Sequence, residues 1–388
     1  MTIDFSLMTR VAAAVATVVL LAQDVTHAQG KRYARVSGSI EQLYDGNLFA
    51  APESSLLFPP ESDWITRFGP LFEAGYESQP LNLAVHYGFD AEKHRDHVEL
   101  DNAFARQDAA MTLNSRGRTG AAALTGEFVE TQTPTDLNLE TLRFVGQSPA
   151  QRIGSSEVFT FDLSAVTSLR VDHRFSRDSL VGGVTSVSNF GRLGVSRRMS
   201  ERTSFRADYR PGFIDFSNGN QERSHSGTAG FVHAFTPVLE IEVDGGVRST
   251  SGDIDPEISA LMRHRMEQGA LTVRYVRTRE TTIGEGSSLQ VQRLAAEVNY
   301  TPTRAIAFTV TPARASSGGT LSSDVVYVVD IQSRFRATRR WSILATGRFG
   351  QQERTLPTSD TINFRTVSLK TIVTLGNLER EREETETR

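Results

Sequence analysis

Cysteine is missing altogether from the 388 residues. That excludes disulfides, thiolate metal centres, a cysteine nucleophile and a lipid-anchoring N-terminal Cys. Lysine is nearly missing: Lys31, Lys93 and Lys370 stand alone, and every other basic residue is arginine. A GC-rich genome explains such a bias, although arginine also grips carboxylate and phosphate in a two-pronged way. No excess of one charge exists, the formal net charge being −4, so nucleic acid is not expected as a partner. Long hydrophobic runs are scarce. With 38% hydrophobic and 23% charged residues, the chain is too polar for a helical membrane protein and too regular for a disordered one. Its length allows two or three domains or one large β architecture.

One apolar run does occur, at the start, in "MTRVAAAVATVVLLAQDVTHAQG". Arg10 precedes an apolar stretch from Val11 to Ala22, and small residues follow at Thr26 and Ala28. A run this short with a small-x-small site reads as a secretory signal over residues 1–28, not as a spanning helix. Asp4 fits such a leader poorly, and Met8 would give it a cleaner basic start. The mature chain is expected to begin near Gln29 and to be exported.

What the sequence has in abundance is alternation. In "FTPVLEIEVDGGV", Leu239, Ile241 and Val243 alternate with Glu240, Glu242 and Asp244. A period of two places the two sets on opposite faces of a strand. "FTFDLSAVTSLRVDHRF" (159–175), "TSFRADYR" (203–210), "DVVYVVDIQSRFR" (324–336) and "TVSLKTIVTL" (366–375) repeat the pattern. "ISALMRHRMEQ", which would pass as a short helix, falls in step with the series and reads as a strand.

Turns punctuate the strands. Tight ones are expected at "FSRDSL", "MSERTS", "FTPVLE", "MEQGAL", "YTPTRA" and "FRATRRW", and longer loops at "FSNGNQERSHSG", "STSGDIDPE", "IGEGSS", "SSGGTLSS" and "LPTSD". Strands are expected to start near residues 32, 64, 81, 100, 119, 159, 180, 190, 203, 226, 239, 257, 270, 288, 305, 324, 341 and 362. The longest irregular stretch is 131–157, either an external loop or one turned inward.

A soluble sandwich, a propeller and a transmembrane barrel all accommodate such strands. Two features favour the barrel. Short and long connections alternate, as expected of two rims facing different compartments. Aromatics also gather beside the short turns, at Phe175, Phe235, Tyr300, Phe335 and Trp341, as in an interfacial girdle. The expected fold is therefore all-β, a transmembrane antiparallel up-and-down barrel of about 18 strands (roughly 16–18), wide enough for an aqueous lumen unless plugged. It would occupy residues 29–376 in the bacterial outer membrane, with 377–388 as a charged disordered periplasmic tail.

On the polar faces lie Arg170, Arg174, Arg206, Arg210, Arg263, Arg265, Arg274, Arg293, Arg334, Arg336 and Arg348, with Asp162, Asp172, Asp208, Glu240, Glu242, Asp244, Glu297 and Asp330. These side chains are expected to line the lumen. They either pair across strands and stiffen the wall or form a positive strip that guides an anion. Catalysis finds little support. No serine stretch announces a nucleophile with its base, and His173 falls on the lipid side of its strand near a rim. His94 and His97, with Asp96 in "KHRDH", read as loop residues lacking a third metal ligand. "VGGV" and "DGGV" are placed inside strands, relieving curvature. No metal, cofactor or enzymatic activity is expected.

"YDGNLF", then "ESDWITRFGPLFEAGYES", then "PLNLAVHYGFDAEKHRDH" resemble the outer-membrane β-barrel porins associated with exopolysaccharide export, through Asp45, Asn47, Phe49, Ser62, Asp63 and Pro70. The resemblance covers nearly the whole mature layout. It implies a barrel that forms or accompanies the outer-membrane step of polysaccharide secretion, with outer-membrane lipid, anionic polysaccharide and periplasmic export components as partners. Such barrels usually end on an aromatic residue, whereas here the last strand is expected to end at Leu375. A diffusion porin for small polar solutes and, from a different class, an outer-membrane hydrolase are the alternatives.

Overall fold

A computed structural model of the chain describes residues 30–318, 323–355 and 359–377. Eighteen strands follow one another: β1 (Lys31–Asp45), β2 (Asp63–Glu77), β3 (Leu81–His94), β4 (Asn102–Arg116), β5 (Gly120–Thr131), β6 (Ala150–Asp162), β7 (Thr167–Leu180), β8 (Ser186–Arg198) and β9 (Thr203–Phe216) form the first half. The second half comprises β10 (Gln221–Thr236), β11 (Leu239–Thr250), β12 (Asp253–Met266), β13 (Gly269–Thr281), β14 (Ser288–Thr303), β15 (Ile306–Gly318), β16 (Ser323–Arg336), β17 (Trp341–Thr355) and β18 (Ser359–Asn377). Each pairs antiparallel with its neighbours in sequence, and β1 closes the ring on β18 through Gly38↔Val373 and Glu41↔Lys370. Closure removes every free sheet edge, the condition for spanning lipid with strands. The leader expected over 1–28 and the tail beyond Asn377 lie outside the described residues, and β18 itself runs two residues past Leu375.

The molecule is inside-out relative to a soluble fold. Val247, Leu369, Phe205 and Leu193 are 50–57% exposed on the exterior, while Asp208, Asp244, Asp178 and Glu257 are 3–7% exposed within. The period-two sequences produce this directly, since alternate side chains of each strand leave opposite faces of the wall. Interior apolar clusters occur where connections fold over the lumen: Leu43, Leu48 and Ile65; Leu137, Ala150 and Ile283; Phe144, Val326, Val328, Ile362 and Phe364.

One rim carries both described chain ends and the connections 78–80, 117–119, 163–166, 199–202, 237–238, 267–268, 304–305 and 337–340. The other carries 46–62, 95–101, 132–149, 181–185, 217–220, 251–252 and 282–287; the connections 319–322 and 356–358, within "SSGGTLSS" and "LPTSD", lie outside the described residues. Alternation of short with long is therefore not strict, because "STSGDIDPE" and "FSNGNQERSHSG" are mostly strand, with turns at 251–252 and 217–220 only.

The largest correction falls between residues 150 and 198. Residues 159–175 are not one strand: β6 starts nine residues before Phe159 and the chain turns at 163–166. Ser164 caps this turn, its Oγ accepting from the N–H groups of Val166 (3.3 Å) and Thr167 (3.1 Å). "FSRDSL" is interior to β7. "VGGV" forms the β7–β8 connection, where Gly182 adopts φ +78°, a left-handed conformation that favours glycine. Phe175 consequently lies in mid-strand, opposite Ser155 and Asn189. Phe161, 46% exposed, takes its place beside the short turn. Phe235, Tyr300, Phe335 and Trp341 do sit near short turns, 43–51% exposed. His173 is likewise in mid-strand, where its Nδ1 lies 2.6 Å from Glu157 Oε2 on the exterior. An apolar exterior band, a polar interior and a closed ring together are the build of a bacterial outer-membrane barrel, and that is what this chain forms.

Candidate functional site

The lumen is the candidate site, and the pleat supplies its lining. Cross-strand partners put Asp162 opposite Ser168, Arg174 opposite Phe190, Glu240 opposite Arg263, Arg274 opposite Ala295, Arg293 opposite Val276 and Asp330 opposite Arg348. Asp162 and Ser168 pair directly and so share a face; six positions separate them, an even number, and Arg170, Asp172 and Arg174 therefore continue the face of Asp162 through the turn.

Most of these charges neutralise one another. An alternating ladder crosses β7 to β12. Arg170 meets Asp172 (2.8 Å), Asp172 meets Arg192 (3.7 Å) and Arg192 meets Asp208 (2.8 Å). Asp208 meets Arg210 (3.6 Å), Arg210 meets Glu257 (2.9 Å) and Glu257 meets Arg248 (3.0 Å). Arg206 holds Glu242 and Asp244 together, and Arg263 binds Glu240 at 2.7 Å. Gly194 leaves space for this ladder, since a Cβ there would meet Asp208 Oδ1 at 2.2 Å. Glu297 accepts from Asn299 Nδ2 at 2.6 Å. Arg174, Arg265, Arg274, Arg334, Arg336 and Asp162 make no ion pair among the described residues. Arg265, Arg334 and Arg336 lie at the short-turn ends of β12 and β16.

The connection 132–149 turns inward. It leaves β5 and returns to β6, yet Glu140 reaches Arg293 on β14 at 3.1 Å, about half the ring away. Asp136 sits between Arg106 of β4 (3.2 Å) and Arg348 of β17 (3.8 Å), and Arg348 also binds Asp330 at 2.7 Å. Arg143 meets Asp324 at 3.1 Å and also Glu285. Phe144 stacks on Phe364 with ring centroids 4.5 Å apart and planes at 12°, and its N–H donates to Gln352 Oε1 at 2.8 Å. Asn138 Oδ1 accepts from the N–H of Ile283 at 3.1 Å. The expected irregular span 131–157 is thus shorter, because residues from Ala150 on belong to β6. Arg67, Arg106, Arg143, Arg192, Glu140 and Asp136 are lumen groups that the alternation did not single out. The loop members carry no period, and Arg192 lies in β8, whose Gly-rich sequence leaves its register open.

Of the motif residues, Asp45, Asn47 and Asp63 belong to a polar knot at the rim of the long connections, whereas Pro70 lies in the middle of β2 opposite Gly38. Asn47 donates to the carbonyls of Ala51 and Asn363, both at 2.9 Å, and its N–H reaches Asp45 Oδ1 at 3.0 Å. Asp63, 1% exposed, accepts from the N–H groups of Trp64 (2.7 Å), Asp96 (3.0 Å) and His97 (3.2 Å). His94 is the last residue of β3 rather than a loop residue. It is buried with Nδ1 3.2 Å from Asp63 Oδ2. His97 Nε2 lies 2.7 Å from Glu61 Oε2, and that carboxylate holds the imidazole above its ordinary pKa. Phe49 meets the His97 ring edge-on at 5.6 Å. This arrangement ties residues 46–62 to 95–101, and among the described residues no group of three or more ligands suits a metal ion.

No family model matches the chain, and no curated protein does. Among solved structures, it is similar to OpdQ of Pseudomonas aeruginosa at 14% identity and TM-score 0.49, covering 89% of this chain and 97% of that one. OccAB3 of Acinetobacter baumannii is similar at 10% identity and TM-score 0.47, covering 88% and 99%. OpdL of Pseudomonas aeruginosa is similar at 11% identity and TM-score 0.45, covering 90% and 99%.

Proposed function

We propose that this protein is a non-enzymatic outer-membrane channel for small polar solutes, narrowed by residues 132–149. The observation that carries the reading is the Glu140–Arg293 contact, which takes the loop across the lumen to the far wall. A barrel of this strand number is wide enough for a water-filled pore, and an inward segment reduces it to the scale of small molecules. The paired ladder keeps the wall rigid and close to neutral, while Arg265, Arg334 and Arg336 give the short-turn mouth a preference for anions. Polysaccharide export is supported only by the resemblance carried by Asp45, Asn47, Phe49, Ser62, Asp63 and Pro70. A polymer would need the loop withdrawn, with Phe144 and five ion pairs released together.

Planar-bilayer recording of the refolded protein, with liposome swelling in mono- and oligosaccharides, tests this reading. A small ohmic conductance, swelling in monosaccharide and none in acidic oligosaccharide are expected. Absence of conductance, or passage of the acidic oligosaccharide, rejects it.

A further inference from the structure

An open pocket of about 450 Å³ lies on the outside of the wall, lined by Gln42, Trp64, Thr66, Lys93, His94 and Arg95. Its position follows from the register. Gln42, Trp64 and Lys93 are exposed while the next residue on each strand, Leu43, Ile65 and His94, is 8%, 0% and 1% exposed with its side chain on the inner side. The lining residues sit within a few positions of the outer ends of β1, β2 and β3, and two positions deeper the same face turns apolar with Ile40 (60% exposed) and Phe68 (54%). In an outer membrane, which the proposed function takes as its setting, this is the headgroup level of the outer leaflet above an acyl-chain surface.

The pocket's chemistry is cationic and hydrogen-bonding. Lys93 makes no ion pair among the described residues. Arg95 is 72% exposed, and the one ion pair it makes among the described residues is with Asp96, 4.0 Å away and itself 62% exposed. Thr66 Oγ1 donates to Gln42 Oε1 at 3.0 Å, leaving the Gln42 amide nitrogen as a donor. Trp64 forms one wall and contacts Tyr44 at 5.2 Å. Arg365 lies over the Tyr44 ring at 5.5 Å, extending the basic-aromatic row on to β18. Two ammonium and guanidinium groups beside an indole, directly above exposed Ile and Phe, match an amphiphile whose sugar headgroup bears phosphate.

The geometry points to a binding site for a phosphorylated glycolipid on the exterior of β1–β3, with Lys93 and Arg95 on phosphate, Trp64 against the sugar and Ile40 and Phe68 along the acyl chains. The chain has two tryptophans, so Trp341→Phe leaves Trp64 as the sole indole reporter. In that background, detergent-solubilised protein is titrated with diphosphoryl lipid A, with the same lipid lacking phosphate, and with inorganic phosphate. A saturable change in Trp64 emission is expected with diphosphoryl lipid A alone. Lys93→Ala/Arg95→Ala should weaken it by roughly tenfold or more, the loss expected of two charge-assisted contacts, and Lys93→Arg should preserve it. Both cations are exposed, and resistance of the variant barrel to urea checks that folding is intact. Equal affinity in the double variant, equal response to the phosphate-free lipid, or saturation by inorganic phosphate at the same concentration overturns the assignment. Conductance of the double variant is expected to equal that of the parent, because the site is outside the lumen. A protein that binds lipid A in this way without conducting would sink the channel reading and leave the lipid site standing.

Discussion

Phe144→Ala is the sharpest perturbation of the inward loop. Phe144 is 6% exposed and stacked on Phe364 at 4.5 Å, within a cluster that includes Val326, Val328 and Ile362. Burial of such a ring contributes about 1.5–3 kcal/mol and the aromatic stack a further ~0.5–1.5 kcal/mol. The ion pairs of Asp136, Glu140 and Arg143 border water and contribute roughly 0–1 kcal/mol each, so Phe144 is the strongest single anchor. Truncation should weaken docking by about 2–4 kcal/mol, which lowers the docked-to-undocked ratio roughly thirtyfold to a thousandfold. Single-channel recording should then show larger or more frequent openings. A Thr141→Cys reporter, buried at 2% in the native chain, should react with maleimide faster by a similar factor, with no background from a chain that lacks cysteine. Phe364→Ala should act alike, and the double variant should fall short of additivity. Unchanged openings together with an unchanged labelling rate in Phe144→Ala would refute loop docking as the determinant of pore width.

Arg206→Ala leaves Glu242 and Asp244, the latter 4% exposed, without their shared cation. Beside an aqueous lumen this should destabilise the barrel by about 1–3 kcal/mol, read as a lower urea midpoint in lipid vesicles, and Asp244→Asn should recover part of the loss. His97 titrates above its ordinary value of 6.5 because Glu61 binds the charged ring. Its contribution to holding 95–101 against 46–62 is therefore complete below about 6.5 and fades as pH rises through the higher folded value. Limited proteolysis of the 46–62 connection should accelerate at alkaline pH in the parent protein and show no such dependence in His97→Gln.

The fold was legible because each strand carries its own local code, alternation on a pleat, and from residue 199 onward turns at "MSERTS", "FTPVLE", "MEQGAL", "YTPTRA" and "FRATRRW" interrupt it with Pro, Gly or charged residues. The failure at 159–175 has an equally local cause. "LSAV" contains neither Gly nor Pro, its turn is made by the Ser164 hydroxyl, and the even separation of the paired Asp162 and Ser168 leaves the alternation uninterrupted. The turn therefore leaves no trace in the period of the sequence on either side of it. The constriction was not legible, since Glu140–Arg293 and Phe144–Phe364 join residues more than a hundred positions apart, and an irregular segment carries no period to reveal which wall it meets. The rim knot was visible only as a motif; its cause, a buried Asp63 collecting three backbone N–H groups, is a feature of the folded chain.

The two faces of the wall can be read residue by residue along β11. Single cysteines at Leu239, Glu240, Ile241, Glu242, Val243 and Val247, in a background free of cysteine, are placed in barrels reconstituted in liposomes and exposed to a membrane-impermeant maleimide. Positions 240 and 242 should label and positions 239, 241, 243 and 247 should resist, restoring reactivity only when the lipid is removed. Comparable labelling of both sets in intact bilayers would contradict a lipid-facing exterior around an aqueous lumen.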